Sequence, residues 1–438
     1  MQFLLKRKRQ SSDNSKRKSF IGDCLMFKIG RIPRSLESFF RPLLASFLWD
    51  QATYFQSLVL VMAFAWGRRN ITNLYRFLDV NRHRTRFNNF LHRARVDLAE
   101  LLRQKATELV DMARCLGEKT AYLIIDDTRK PKRGKYMAAV GYIYDDLLGK
   151  TIPGHLYVTA IIRIGPVVIP LGIRLYVKKE QCGELGLEFR RMTELAAELI
   201  RLFEAPKGMN VHVVFDSFYL CPRVVWACEE KGFHFVSTLK DNRTVFMRGR
   251  NLKLGVYKRR AFRTGKKKTV KLRKPNGELV KYSYVDLGWV DIKRLGKVRV
   301  VLSRKNSERK ILAIATNDPN LSGESSIRSY AQRPSIEQFF KDTKQLLGLG
   351  QYQNRSYEAA VRHLQLVMFS YALLTHLRLA KARGAKGKRK KREVAGMSVF
   401  EAQVELRHVV WKDLVKYLQD FQDPKEVLKE LRRLLVAA

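Results

Sequence analysis

The chain has 438 residues, with 85 Lys and Arg against 41 Asp and Glu, so its formal net charge is +44. Because 46% of the residues are hydrophobic and 11% are aromatic, the chain can bury a sizeable core, which excludes a disordered basic tail. A charge of this size is self-repelling, and a polyanionic partner is the usual reason for a protein to carry it.

The cysteines and the apolar segments restrict the class of protein further. The 5 cysteines lie far apart without a C-x-x-C pair, which supports neither a disulfide framework nor a zinc knuckle. The longest apolar stretch, residues 58–66, is about half as long as a bilayer crossing requires. In the opening MQFLLKRKRQ the charges follow a very short apolar patch, which is the wrong order for a signal peptide. We therefore expect a cytoplasmic protein.

The N-terminal region of the chain divides into two segments. Residues 1–34 are rich in Lys and Arg with intervening Ser and Asn, and we expect a flexible basic arm. Residues 35–117 have an apolar periodicity near 3.6, and basic residues alternate with apolar ones over residues 82–110. This pattern predicts a helical DNA-binding module. A solvated basic helix that contacts nothing is the alternative.

Residues 118–240 predict the first segment of an α/β catalytic core. KTAYLIIDDT and VHVVFDS are typical of buried strands that end in acids, and FHFVSTLK of another strand. HLYVTAIIRIGPVVIPLGIRLYV predicts two strands joined at residues 164–166. Amphipathic helices are predicted within residues 183–204 and 224–232. This order predicts a mixed sheet flanked by helices.

The remaining sequence predicts an interruption of that core and its completion. Residues 241–310 are strongly basic with alternating stretches, which predicts a basic β-rich insertion. Residues 311–380 complete the core with one strand and two helices, at 332–347 and 357–379. Residues 381–397 begin with KARGAKGKRKKR and predict a basic linker, and residues 398–438 a helical C-terminal tail.

Acids on distant segments suit a two-metal site. Asp126 and Asp127 follow one apolar strand, Asp216 follows another, and Glu337 lies on a later helix. Magnesium prefers oxygen ligands, and two such ions about 4 Å apart can activate a water and stabilise the oxygen that leaves a phosphodiester. Any one of these acids alone would be more typical of a turn or a helix cap.

The spacing of four residues around Glu337 strengthens this hypothesis. Tyr330, Arg333, Glu337 and Lys344 fall within about 60° of one another on a helix at about 100° per residue. Apolar residues occupy a neighbouring sector that would pack on the core. The alternative, an Arg333–Glu337 ion pair on a surface helix, leaves Tyr330 and Lys344 unexplained.

The spacing Tyr330-x2-Arg333-x3-Glu337-x6-Lys344 resembles the YREK signature of bacterial DDE transposases of the insertion-sequence-four-like superfamily. The motifs IIDDT and VVFDS are similar to the regions of that family's two catalytic aspartates. The resemblance covers roughly residues 119–380. It implies a ribonuclease-H-like catalytic core, so the predicted fold is α/β, with a ribonuclease-H-like mixed sheet, a β-rich insertion and an N-terminal helical DNA-binding module.

The resemblance implies that Asp127, Asp216 and Glu337 are the catalytic, metal-binding acids. Asp127 is favoured because the family's acid is commonly followed by a residue like Thr128, and Asp126 remains the alternative. On an alternating strand only one of the two can face the metals. Two magnesium ions per site are implied, and manganese can substitute for magnesium.

The resemblance also implies the DNA contacts and the reaction. Tyr330, Arg333 and Lys344 would hold double-stranded transposon-end DNA, and Trp289 in the insertion would stack on a flipped base, although a strand tryptophan is more often core. The implied enzyme is a transposase that binds inverted-repeat ends, cleaves phosphodiesters and joins the 3′ ends to target DNA, as a homodimer in the synaptic complex near a bacterial nucleoid.

Two alternatives to a transposase are compatible with the sequence. One is a ribonuclease-H-like nuclease or resolvase without strand transfer, because the same acids would serve it. The other is a non-catalytic, domesticated DNA-binding protein that has kept only the fold, although the intact acids and signature residues disfavour it.

Overall fold

The structure is a computed structural model that describes residues 26–134, 136–145, 149–247, 249–273 and 277–436. Most of the arm expected over residues 1–34 therefore lies outside the described residues. Within them, no helix is long and apolar enough to span a lipid bilayer.

Residues 35–117 are helical, as their periodicity predicted. After the short strand β1 (Met26–Phe27), the helices are α1 (Glu37–Leu44), α2 (Trp49–Phe64), α3 (Ile71–Arg76), α4 (Arg84–Arg93) and α5 (Leu98–Ala113). Asn70 and Asp97 begin α3 and α5 by accepting hydrogen bonds from backbone N–H groups of the first turn. Most of α2 is buried, so these helices share a core with the rest of the chain.

The α/β core follows in the predicted order. Its elements are β2 (Thr120–Pro131), β3 (Gly141–Asp145), β4 (Lys150–Ile164), β5 (Val167–Tyr176), α6 (Lys179–Cys182), α7 (Met192–Arg201), β6 (Asn210–Phe215), α8 (Pro222–Glu230) and β7 (His234–Thr238). The spatial order is β5-β4-β2-β6-β7, with β2, β6 and β7 parallel and β4 and β5 antiparallel to their neighbours. This is the strand arrangement of a ribonuclease-H-like core, and the predicted mixed α/β fold is confirmed.

Two core elements differ from their predicted extents. The strand expected to end at the acids continues to Pro131, because residues 128–131 pair with β4. The helix expected within residues 183–204 begins only at Met192, where the Glu194 carboxylate accepts a hydrogen bond from the backbone N–H of Arg191. The acids Asp126 and Asp127 therefore lie inside a long strand rather than at its end.

The basic segment 241–310 extends the same sheet. It contains β8 (Thr244–Met247), β9 (Arg250–Lys253), α9 (Leu254–Thr264), β10 (Lys268–Arg273), β11 (Leu279–Ile292) and β12 (Gly296–Lys305), and β13 (Leu312–Thr316) follows it. Beyond β7 the order is β13-β12-β11-β8-β9, and β10 pairs with β11. The strands of this segment are thus joined to the core by continuous backbone hydrogen bonding.

The C-terminal region is helical and packs on the core. Its elements are α10 (Gly323–Tyr330), α11 (Pro334–Leu346), α12 (Tyr357–Gly384), α13 (Lys388–Ala395), α14 (Val399–Leu418), α15 (Pro424–Leu434) and β14 (Leu435–Val436). The segment 381–397, expected as a linker, instead contains the end of α12 and all of α13. An ion pair between Arg392 and Glu118 holds α13 to the start of the core, and β14 pairs with β1.

Burial keeps three histidines neutral in this fold. It lowers the pKa of His155, His363 and His376 to about 4. The unfolded chain, with histidine pKa values near 6.5, binds protons that the folded chain excludes as the pH falls from about 6.5 to 4, so stability is lost over that window.

We predict that His376→Gln weakens this acid-induced loss of stability, because glutamine does not bind a proton in the unfolded chain. Each buried histidine contributes at most about 3 kcal/mol to the loss. The measurement is the thermal unfolding midpoint at pH values from 4 to 7. His408→Gln is the matched control, since it replaces an exposed histidine on α14. Equal slopes for His376→Gln and the wild type would contradict the prediction.

Candidate active site

The pairing of β2 with β6 brings the aspartates together. Ile124 of β2 pairs in parallel with Val214 of β6, and continuing this register by two residues places Asp216 level with Asp126. The backbone N–H of Phe218 donates to Asp216 Oδ1 at 2.9 Å, which fixes this carboxylate just beyond the strand. The parallel register therefore assembles carboxylates from two separate segments.

Asp126 lies on the sheet face that α11 covers. Arg333 Nη2 donates to Asp126 Oδ2 at 2.6 Å, and Lys344 Nζ donates to Thr128 Oγ1 at 2.6 Å. Side chains two residues apart on a strand project to the same face, so Asp126 and Thr128 both meet α11.

Asp127 projects to the opposite face of the strand. Its Oδ1 accepts a hydrogen bond from the Tyr219 hydroxyl at 3.1 Å. Asp126 is 8% exposed, whereas Asp127 is only partly buried. The two neighbouring acids therefore have different partners on different faces of the sheet.

Burial and mutual repulsion disfavour the charged forms of these acids. Burial raises the pKa of Asp126 to about 7, with Arg333 acting against the rise and the charges of Asp127 and Asp216 adding to it. Burial also raises the pKa of Asp127, which the Tyr219 hydrogen bond opposes and Asp216 reinforces. A cation placed among these oxygens would relieve both effects.

Arg333 connects Asp126 to Glu337. Its Nη1 donates to Glu337 Oε1 at 2.6 Å while Nη2 contacts Asp126, so one planar guanidinium bridges strand and helix. Burial works against its charge, but Asp126 and Glu337 raise the pKa of Arg333. The Glu337 side chain is 58% exposed and remains accessible to a ligand.

The four signature residues do not share one continuous helix. Tyr330 is the last residue of α10, and α11 starts after Arg333, with Pro334 at its first position. The predicted helix over 332–347 is thus observed as Pro334–Leu346. Tyr330 still lies close to the acids, because burial raises the pKa of its hydroxyl and the charges of Asp216 and Asp126 raise it further.

The acids fit magnesium by their chemistry, since hard divalent cations prefer carboxylate oxygens. In the portion of the chain that the structure describes, no three His, Cys, Asp or Glu side chains are grouped closely enough to hold an ion. Arg333 occupies the position between Asp126 and Glu337. A complete ligand set that includes Glu337 therefore requires the Arg333–Glu337 contact to open.

Trp289 lies at a distance from the acids. It is on β11, beside a bulge at residues 286–288, and is 39% exposed. Its strand is five positions from β2 in the sheet, which corresponds to about 24 Å at about 4.8 Å per strand. Its predicted stacking role stays a prediction.

The contacts of Tyr219 with Asp127 and of Thr128 with Lys344 were not predicted from the sequence. Tyr219 lies three residues after Asp216 in FDSFYL, but its contact with Asp127 depends on the loop after β6. Thr128 was noted only as a neighbour of Asp127, and its contact with Lys344 depends on how α11 packs on β2.

Comparison with known families assigns the chain to one of them. The family model described as DDE superfamily endonuclease matches residues 48–287, which is more than half of the chain. The chain belongs to the DDE superfamily endonuclease family. The matched range includes Asp126, Asp127 and Asp216 and ends before Glu337, so the signature residues of this DDE endonuclease lie outside it.

Among solved structures, the DDE endonuclease is similar to one described as the cryo-EM structure of a piggyBac transposase synaptic complex with hairpin DNA. The TM-score is 0.43 and the identity 12%, and the match covers 87% of this chain and 75% of that chain. No curated protein matches the sequence.

We predict that Arg333→Gln lowers the free energy of unfolding by about 1–3 kcal/mol, because it leaves the buried Asp126 carboxylate without its charged donor. The measurement is the thermal unfolding midpoint in EDTA. Combining Arg333→Gln with Asp126→Asn should recover most of the loss, and a double variant as unstable as the single one would refute the charge explanation.

The matched control for this prediction is Arg328→Gln. Arg328 pairs with Glu324 four residues before it, and the two side chains are 49% and 44% exposed. Such exposed pairs contribute less than about 1 kcal/mol, so this variant should unfold close to the wild type.

Proposed function

We propose that this DDE endonuclease is a transposase of the insertion-sequence-four-like type, which cleaves DNA at the ends of its element and joins the 3′ ends to target DNA. The observation that carries the proposal is the contact of Arg333 with both Asp126 and Glu337 beside Asp216. It joins two residues of the YREK spacing, Arg333 and Glu337, to Asp126 on β2, the strand that pairs with β6 just before Asp216.

The proposed metal ligands are Asp216, Glu337 and one acid of β2. The resemblance in the sequence favours Asp127, through the Thr128 that follows it. The contact of Arg333 with Asp126 favours Asp126, because this acid shares a sheet face with the residues of α11. The two assignments exclude each other, since neighbouring strand residues project to opposite faces.

The proposed chemistry divides between the ions and the protein. A bound pair of magnesium ions, for which manganese can substitute, would supply activation of the attacking water and stabilisation of the leaving oxygen. Asp216, Glu337 and the β2 acid would hold these ions. The protein would otherwise act by holding the phosphodiester in position between the sheet and α11.

Arg333, Lys344 and Tyr330 are the proposed contacts to the DNA end. The Arg333 guanidinium suits phosphate oxygens, and when it turns to a phosphate it frees Glu337 for metal. Lys344 is a point charge held close to the acids by its contact with Thr128. Trp289 would stack on a base further along the DNA, and two copies of the chain would hold the two ends.

We predict that Asp216→Ala, and one of Asp126→Ala and Asp127→Ala, reduce cleavage about a hundredfold or more, because losing a metal ligand removes several kcal/mol of charge stabilisation. The other β2 variant should retain most activity. The measurement is nicking of a supercoiled plasmid that carries the chromosomal segments flanking the gene, with magnesium or manganese.

Binding of the same DNA in EDTA is the control for these variants. Asp216→Ala should bind as the wild type does, because the carboxylate contributes nothing to phosphate contacts. Loss of binding and cleavage together would mean that Asp216 is structural. Full activity of all three variants would refute the proposed site.

Strand transfer separates a transposase from a nuclease or resolvase that has the same acids. We predict that the wild-type protein joins the 3′ ends of the cleaved fragment to a second, labelled plasmid, because an exposed 3′ hydroxyl can replace water as the nucleophile. The joined product is measured by gel electrophoresis. Cleavage without any joined product would favour the nuclease.

A further inference from the structure

Two exposed tyrosines stand on the edge strand of the sheet. Tyr142 is 71% exposed and Tyr144 is 54% exposed, and both lie on β3. Their cross-strand partners on β4, Pro153 and Thr151, are exposed as well. We call β3 and residues 150–153 of β4 the tyrosine hairpin.

The tyrosine hairpin shares a sheet face with the candidate site. Asp126 pairs with Thr159 on β4, and Tyr144 pairs with Thr151 on the same strand. Directly paired residues share a face, and so do residues an even number of positions apart on one strand. Thr159 and Thr151 are eight positions apart with regular pairing between them, so Tyr144 and Tyr142 project to the face of Asp126.

The hairpin extends away from the acids along the strands. Arg129 lies three residues after Asp126 on β2, and its side chain reaches the backbone carbonyl of Tyr144. The backbone of Tyr144 therefore lies within about 20 Å of that of Asp126. Duplex DNA advances about 3.4 Å per base pair, so DNA that follows this face from the acids meets the tyrosines within about six base pairs.

The charges beside the hairpin suit a nucleic acid. Arg129, Lys130 and Arg133 follow the acids along the chain, and Arg129 Nη1 donates to the backbone carbonyl of Tyr144 at 2.6 Å. Arg129 thus holds a positive charge at the backbone of the hairpin, and a cation close to exposed aromatic rings suits a nucleic acid strand, whose phosphates and bases it can hold together with the rings.

The spacing of the two rings suits one base. Residues two apart on a strand are separated by about 6.7 Å, which is about twice the 3.4 Å spacing of stacked bases. We propose that Tyr142 and Tyr144 bind an unpaired base of the substrate DNA between their rings, within about six nucleotides of the cleaved bond. This inference rests on the proposed function, because it takes DNA as the substrate of the neighbouring acids.

The test measures DNA affinity of the full chain in EDTA by fluorescence anisotropy. The probes are a 20-base-pair duplex and the same duplex with a ten-nucleotide unpaired thymidine arm. Replacing both tyrosines by alanine should weaken binding of the forked probe about tenfold or more and leave the duplex affinity unchanged. Replacing both by phenylalanine should preserve forked binding, because the rings remain.

Phe400→Ala is the matched control, since Phe400 is an aromatic residue on α14 that is 52% exposed, and its loss should change neither affinity. An alanine variant that binds both probes like the wild type would overturn the proposal, as would equal losses on both probes. A change from dimer to monomer in light scattering, with unchanged DNA affinity, would also overturn it and make the hairpin an interface between two copies.

Failure of this inference and failure of the proposed function are distinguishable. The tyrosine variants are tested by binding without metal, whereas the transposase proposal is tested by cleavage and joining with magnesium. If the wild type cleaves DNA and the alanine variant binds the forked probe as tightly as the wild type does, only the base contact is refuted. If the alanine variant binds the forked probe more weakly but the wild type neither cleaves nor joins DNA, only the catalytic proposal is refuted.

Discussion

Arg333 donates to a carboxylate on the central strand β2 and to a second carboxylate on α11, and the charge balance of the site depends on this pair of contacts. Burial disfavours the charge of Asp126, and the nearby charges of Asp127 and Asp216 disfavour it further. One guanidinium opposes this cost. A cation that binds both Asp126 and Glu337 must therefore take the place of Arg333 between them.

The continuous sheet fixes the distances between the functional surfaces. The acids lie on β2 and beyond β6, the basic strands lie on the far side of β13, and the tyrosine hairpin lies on the opposite edge. Because backbone hydrogen bonds join these strands, the surfaces keep a defined spacing along one sheet. A long, bent polyanion could contact several of them at once, as the net charge of +44 suggests.

Much of the core was predictable because buried strands are short apolar runs. The strands at Asn210–Phe215, His234–Thr238 and Leu312–Thr316 were all predicted from such runs, as was the turn between β4 and β5. Element ends were less predictable, because they depend on local contacts. The hydrogen bond from the Arg191 backbone N–H to the Glu194 carboxylate marks the start of α7. Pro334 is the first residue of α11, so that helix begins after Tyr330.

By itself the sequence determined the candidate features of the site: acids at apolar strands, the spacing from Tyr330 to Lys344, and a strong excess of basic residues. These are properties of residue type and spacing. The tertiary structure alone decided that Asp126 meets Arg333 while Asp127 meets Tyr219. The physical reason is that side chains on a strand alternate between faces, so a shift of one residue in register would exchange the two acids.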